Sequence, residues 1–300
     1  RKESSAASDV YKRQEGGAEL GTRREIPSTR DLYAVSRALE DHHIDALLVI
    51  GGYSAYEGIY TMMTERDRYP AFRIPTVCIP ASIDNNLPGS ELSIGTDTAL
   101  NVIVEAMDKI KESGIASRRC FVVETMGRDC GYLALMSGIA AGAERIYTNE
   151  DGISLDDLAN DVHWLRESFA HGRRLFLAVR NENASHNYTT DFIARLLEEE
   201  SHGMYDVRQV VLGHMQQGGS PSPFDRLLAN RLGYRALNLI DDELAAHQDG
   251  SWFIGVNESG MRPCSMDTMP SLIDAAHRRP REQWWLQLRT IARMVSDEVR

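Results

Sequence analysis

Ser82, Asp84, Asn85 and Asn86 put a hydroxyl, a carboxylate and two amides into one short loop, Ile79-Pro80-Ala81-Ser82-Ile83-Asp84-Asn85-Asn86-Leu87-Pro88-Gly89. The loop follows the apolar run Val77-Cys78-Ile79. Open α/β sheets bind ligands at the carboxyl ends of their strands, so chemistry is expected at these residues. Asp-Asn-Asn before Pro-Gly is also ordinary turn composition, and the residues alone leave both readings open. Three other strand ends carry comparable groups. In Gly51-Gly52-Tyr53-Ser54, glycines free backbone N–H groups to cradle a phosphate, and the dipole of the next helix favours an anion. At Arg180-Asn181-Glu182, the Glu182 carboxylate is able to accept hydrogen bonds from sugar hydroxyls or to stand as a solvated loop charge. In Gly213-His214-Met215-Gln216-Gln217, His214 is able to donate to a phosphate or to serve a structural bond.

These groups need strands to deliver them and helices to cover the strands. Ala46–Ile50 and Leu175–Val179 are continuous apolar runs, the pattern of strands buried on both faces of a parallel sheet, and Cys120–Glu124 and Gln209–Leu212 read as further strands with a polar residue at one end. Between them, Leu100, Ile103, Val104, Met107 and Ile110 recur at helical spacing over residues 96–112. Ser28-x-x-Asp31 and Ser154-x-x-Asp157 read as caps of further helices. A small-residue helix over 131–143, a helix over 225–240, a late strand over 252–256 and a final helix over 284–295 complete the pattern. Alternating strands and helices predict an α/β fold of mostly parallel sheet flanked by helices.

The loop at 82–89, with Ser93-Ile94-Gly95-Thr96-Asp97-Thr98-Ala99-Leu100-Asn101 after it, resembles the sugar-phosphate loop of the 6-phosphofructokinases. Four more segments match that family in order: Glu124-Thr125-Met126-Gly127-Arg128-Asp129-Cys130-Gly131, Arg180-Asn181-Glu182-Asn183, Gly213-His214-Met215-Gln216-Gln217-Gly218-Gly219 and Arg281-Glu282-Gln283-Trp284-Trp285. The last two resemble the carboxy-terminal half of the long, duplicated, eukaryotic-type enzymes. The resemblance implies two lobes sharing a sugar site, residues 15–96 with 216–266 in the first and 97–215 with 267–300 in the second. It also implies a missing amino-terminal half and a homo-oligomer, because Arg119 aligns with an arginine that reaches a neighbouring subunit's sugar phosphate. Arg24, Arg208, His214 and Arg278 would join Arg119 around a phosphate, with Ser82, Ile83, Asn85, Asn86, Met126, Gly127, Arg128, Glu182, Met215, Gln216 and Gln217 lining the sugar or effector. Asp84 aligns with the aspartate that takes the proton from the C1 hydroxyl of fructose 6-phosphate.

Two loops disagree within that resemblance. Catalytic members carry Gly-Gly-Asp-Gly-Ser, whose Asp holds the magnesium–ATP complex, where this chain has Gly51-Gly52-Tyr53-Ser54-Ala55. A protonated phenol is a poor ligand for a hard cation. Asp84 keeps an acid that regulatory halves replace with serine, while Asn86 stands where catalytic halves have a second aspartate. Three expectations follow: an allosteric half binding a sugar bisphosphate such as fructose 2,6-bisphosphate; a competent half using ATP or pyrophosphate with Asp84 as base; or an assembly half without ligand. Magnesium and ATP belong to the full-length enzyme, and no resident metal is assigned to this segment.

The totals bound the partners and the compartment. Of 300 residues, 33 are basic and 44 acidic, a net charge of −11, which argues against a nucleic-acid or anionic-membrane surface. No apolar run approaches the roughly 18 residues of a membrane helix, and the expected location is the cytoplasm. Cys78, Cys120, Cys130 and Cys264 are widely spaced and read as structural thiols. Residues 1–14 read as a leader that is either disordered or foreign to the natural protein.

Overall fold

A computed structural model describes residues 29–297, which divide into two compact units. The first comprises residues up to Ser82, Asn86–Gly95 and Pro221–Gln283; the second comprises Ile83–Asn85, Thr96–Ser220 and the chain from Trp284. The leader, Arg24 and the Ser28 cap lie outside the described residues.

The first unit holds the helices α1 (Thr29–Asp41) and α2 (Tyr53–Thr64), and the strands β1 (Leu47–Gly51) and β2 (Thr76–Pro80). The long helix Pro223–Ala245 and the strands Ser251–Asn257 and Gly260–Ser265 also belong to it. β1, β2 and Ser251–Asn257 pair in parallel, and Gly260–Ser265 adds an antiparallel edge. That edge strand was not anticipated, because Pro263 removes a ladder donor and an edge tolerates it. Every residue of β2 is buried: Cys78 faces the cluster of Tyr53, Tyr56, Phe253 and Met269, while Val77 and Ile79 face Leu228, Leu232 and Ala236 of the long helix. Residues 267–283 therefore belong here, not to the second lobe as the resemblance implied, since Met269 and Ile273 are buried in the same cluster.

The second unit is an all-parallel sheet. Its strands are β3 (Arg119–Thr125), β4 (Arg145–Tyr147), β5 (Leu175–Asn181) and β6 (Asp206–Val211), in the order β4-β5-β3-β6. Helices α3 (Thr96–Gly114) and α4 (Tyr132–Ala141) cover one face with Val123, Leu177 and Val179. Helices α5 (Leu155–Ala170) and α6 (Thr190–Glu199) cover the other with Cys120, Val122 and Phe176. β3 and β5 are buried on both faces, which is why they read as runs and not alternations. The edge strand β6 leaves Val211 exposed and β1 of the first unit leaves Leu48 and Ile50 exposed, so the double burial expected of β1 is not found. The Ser154–Asp157 capping box forms as expected, each side chain bonding the other's backbone N–H. α4 packs tightly because Gly138 has no Cβ, which would meet Ile146 Cδ1 at 2.6 Å. Trp284–Leu288 is a 3-10 turn and the final helix starts only at Arg289, because Trp285 is drawn into the core edge-on to Tyr132. Among the described residues no helix is long and apolar enough to cross a membrane.

One buried group links this unit to pH. Asp161 on α5 accepts from Arg145 Nε and Tyr147 OH, and burial holds its carboxyl above the ordinary range although Arg145 pulls the other way. A carboxyl with a raised native pKa binds its proton more tightly folded than unfolded, so its contribution to stability is present at low pH and is lost as pH rises through the native value. The stability gap between the parent and Asp161→Asn, measured by urea unfolding, is expected to shrink from acid to neutral pH. A gap independent of pH contradicts this.

Candidate functional site

In the first unit β1 ends at Gly51, Gly52 caps α2, and Tyr53 and Ser54 open the helix. Tyr53 is buried, with its phenol pKa pushed up by burial first and by Glu57 next. The Arg278 guanidinium lies 4.8 Å from the centroid of its ring. Arg278 Nη2 donates to Ser54 Oγ at 3.2 Å and to Glu57 Oε2 at 2.5 Å. A neutral phenol under a guanidinium supplies no carboxylate for magnesium, so the residues here do not fit a metal–nucleotide complex. Arg278 thus stands over the glycine loop, a position sequence reasoning did not give it, and Glu57 was missed altogether. Its signal was faint: a carboxylate one helical turn after Tyr53.

The 82–86 loop is braced from inside. Ser82 Oγ donates to Asn86 Oδ1 at 3.2 Å, Asn86 Nδ2 donates to the Arg278 carbonyl at 3.0 Å, and Ser93 Oγ donates to the Ser82 carbonyl at 2.7 Å. Asn86 was expected to line the ligand, yet both ends of its amide are engaged by the protein. Asn85 is buried with φ +52°, a left-handed conformation that asparagine tolerates. The turn Ile83–Asn85 belongs to the second unit, where Ile83 packs on the cluster containing Val123, Leu212 and Met126. Asp84 is half-buried.

In the second unit the carboxyl ends of β3 and β5 bring Met126, Gly127, Arg128 and Glu182 together. Glu182 Oε1 accepts from Gly127 N at 3.1 Å and from Arg128 N at 2.8 Å. One carboxylate oxygen expected to meet a sugar is therefore held by the backbone. Gln216 is buried: its Oε1 accepts from Met126 N at 3.2 Å and its Nε2 donates to the Gly213 carbonyl at 2.9 Å. It braces the turn after β6, with both ends of the amide that the resemblance places at the ligand bonded to the protein. His214, Met215 and Gln217 are exposed on that turn, and Gln217 Nε2 reaches Met126 Sδ at 3.9 Å. Arg180, unassigned from sequence, is the buried organiser of this end, bonded to Glu124 Oε2 at 2.8 Å and to the Ser185 carbonyl at 2.6 Å.

The other arginines stand elsewhere in this unit. Arg119 opens β3, six residues before Thr125, so about 20 Å of strand separates it from the Gly127–Glu182 end. Its Nε is buried without a hydrogen-bond partner among the described residues. Arg208, paired with Phe121, is exposed on the edge strand β6 and donates to the Val207 carbonyl at 2.8 Å. Strand register sets both back from the Glu182 end: Arg119 opens β3, and Arg208 stands opposite Phe121, four residues before Thr125.

The phosphofructokinase family profile matches residues 4–240. The chain is 41% identical over 292 residues to the platelet-type ATP-dependent 6-phosphofructokinase of Rattus norvegicus, covering 94% of this chain and 37% of the relative. It is 42% identical over 284 residues to the ATP-dependent 6-phosphofructokinase of Dictyostelium discoideum, covering 94% of this chain and 34% of that protein. The structure of phosphofructokinase from Saccharomyces cerevisiae matches with a TM-score of 0.91 at 33% identity, over 96% of this chain and 39% of that one. The chain thus spans little more than a third of the relatives it matches. With its two α/β units, its ligand-type groups at strand ends and these similarities, this chain belongs to the phosphofructokinase family.

Proposed function

We propose that this chain is the allosteric half of an ATP-dependent 6-phosphofructokinase, converting fructose 6-phosphate and ATP to fructose 1,6-bisphosphate and ADP, and that it binds a sugar bisphosphate such as fructose 2,6-bisphosphate. The observation that carries this is the Tyr53–Arg278–Glu57 cluster on the glycine loop, where catalysis would need a carboxylate for magnesium. Without a metal and phosphate cradle, a base has no phosphoryl group to which it could direct its nucleophile. The phosphate-type groups persist: Arg278 on the first unit, His214 on the second. Arg119, far from Glu182 with an unsatisfied buried donor, supports a homo-oligomer in which it serves a neighbour's site.

Asp84 favours a second reading, a competent half in which this carboxylate takes the C1 hydroxyl proton as that oxygen attacks the terminal phosphoryl group. Steady-state kinetics of the full-length protein separates the two. Under the allosteric reading, Asp84→Asn retains turnover while shifting the response to fructose 2,6-bisphosphate. Loss of about a hundredfold or more in kcat, the ordinary worth of a general base, transfers the assignment to the catalytic reading.

A further inference from the structure

Arg278 is held more firmly than a half-exposed arginine requires. Its guanidinium lies on the Tyr53 ring, and Nη2 is engaged by both Ser54 Oγ and Glu57 Oε2. The backbone is fixed too, with φ +50° and a carbonyl bonded by Asn86 Nδ2. All of its side-chain hydrogen bonds use Nη2, so the Nε and Nη1 donors find no acceptor among the described residues, and the side chain stays 39% exposed. The guanidinium also stands at the start of α2, where the helix dipole favours an anion and opposes a cation. Glu57 offsets that opposition, and an incoming phosphate would meet both the dipole and the remaining donors.

We propose that Tyr53 and Glu57 are positioning residues that turn the loop after β1 from a nucleotide cradle into a platform presenting Arg278 to one phosphate of a sugar bisphosphate. The inference rests on the effector-binding reading above and adds the residues that set affinity there. Tyrosine at position 53 then has a positive role: its flat, uncharged ring fixes the plane of the guanidinium, which an aliphatic side chain cannot do. Glu57 holds the rotamer through Nη2 and leaves the outward donors unpaired. Rotamer freedom removed in advance is not paid for on binding.

The test is fructose 2,6-bisphosphate titration by calorimetry on the full-length protein. Tyr53→Leu and Glu57→Gln are each expected to weaken binding about three- to tenfold, the range of one cation–π or oriented ion-pair contact. Tyr53→Phe, which keeps the ring and controls for folding because Tyr53 lies in the core cluster, is expected to bind within about twofold of the parent. In an Arg278→Ala background, Tyr53→Leu and Glu57→Gln should have no further effect, a coupling that general destabilisation does not produce. Equal effects in both backgrounds overturn the platform, as does tighter binding by Glu57→Gln, which would make Glu57 a rival of the ligand. Weakening by Arg278→Ala without coupling rejects only the platform, whereas no bisphosphate binding by the parent rejects the effector reading and the platform with it.

Discussion

Alanine at position 180 is expected to lower the stability of this protein by about 3–5 kcal/mol, the range for breaking a buried ion pair from one side. Arg180 is 2% exposed, and burial pulls its pKa down while Glu124 holds it up. Five acceptors share its guanidinium: Glu124 Oε2, Thr190 Oγ1 and the carbonyls of Glu182, Ser185 and Tyr188. Truncation leaves three carbonyls without this donor and takes the cation from Glu124, whose Oε2 keeps the Thr190 hydroxyl, and an unpaired buried acceptor costs more than the bond itself contributed. The loop after β5 should loosen with it. Because Glu182 sits on that loop, the proposed effector reading adds that fructose 2,6-bisphosphate affinity falls alongside the urea midpoint. Arg180→Lys keeps the charge but has three donors for five acceptors, and should fall between the parent and alanine. A midpoint shift worth less than about 1 kcal/mol for Arg180→Ala would contradict the role assigned to this residue.

How much of this was legible in the sequence depended on how local each cause was. Strands buried on both faces announced themselves, as at Leu175–Val179, because the whole side-chain set must be apolar. The Ser154 cap was equally legible, since donor and acceptor lie three residues apart. What the sequence does not carry is information held by distant partners. Asn86 and Gln216 read as ligand amides, and only the fold reveals that Asn86 is engaged by the Arg278 carbonyl and Gln216 by Met126 N and the Gly213 carbonyl. A satisfied loop amide and an offered one look the same in a sequence. The same limit hid Glu57 from Arg278, 221 residues away. The final helix was drawn five residues too early because helical spacing cannot report that Trp285 is needed in the core.

Substitution of Gly127 meets a steric obstacle. Its φ of +129° lies where side chains are rarely found, and an added Cβ would collide with the Cys130 carbonyl oxygen and sit 3.0 Å from Asn181 Nδ2. Backbone cannot yield as a flexible side chain can, so Gly127→Ala must rotate the peptide that presents Gly127 N and Arg128 N to Glu182. The strain alone is worth about 1–3 kcal/mol, and the loss of two bonds to a carboxylate comes on top of it. Gly142→Ala separates conformation from clash: φ is +67° there, but apart from the adjoining backbone no atom of the described residues lies within 4 Å of where the methyl would stand, so about 1–2 kcal/mol of left-handed strain is all it should cost. Gly127→Ala is expected to unfold at distinctly lower urea and, under the proposed effector reading, to weaken fructose 2,6-bisphosphate binding by about tenfold or more, with Glu182→Ala adding little in that background because the carboxylate has already lost its anchor. Equal costs for the two glycines, or additive losses with Glu182→Ala, would mean that the Gly127 peptide does not hold Glu182 in place.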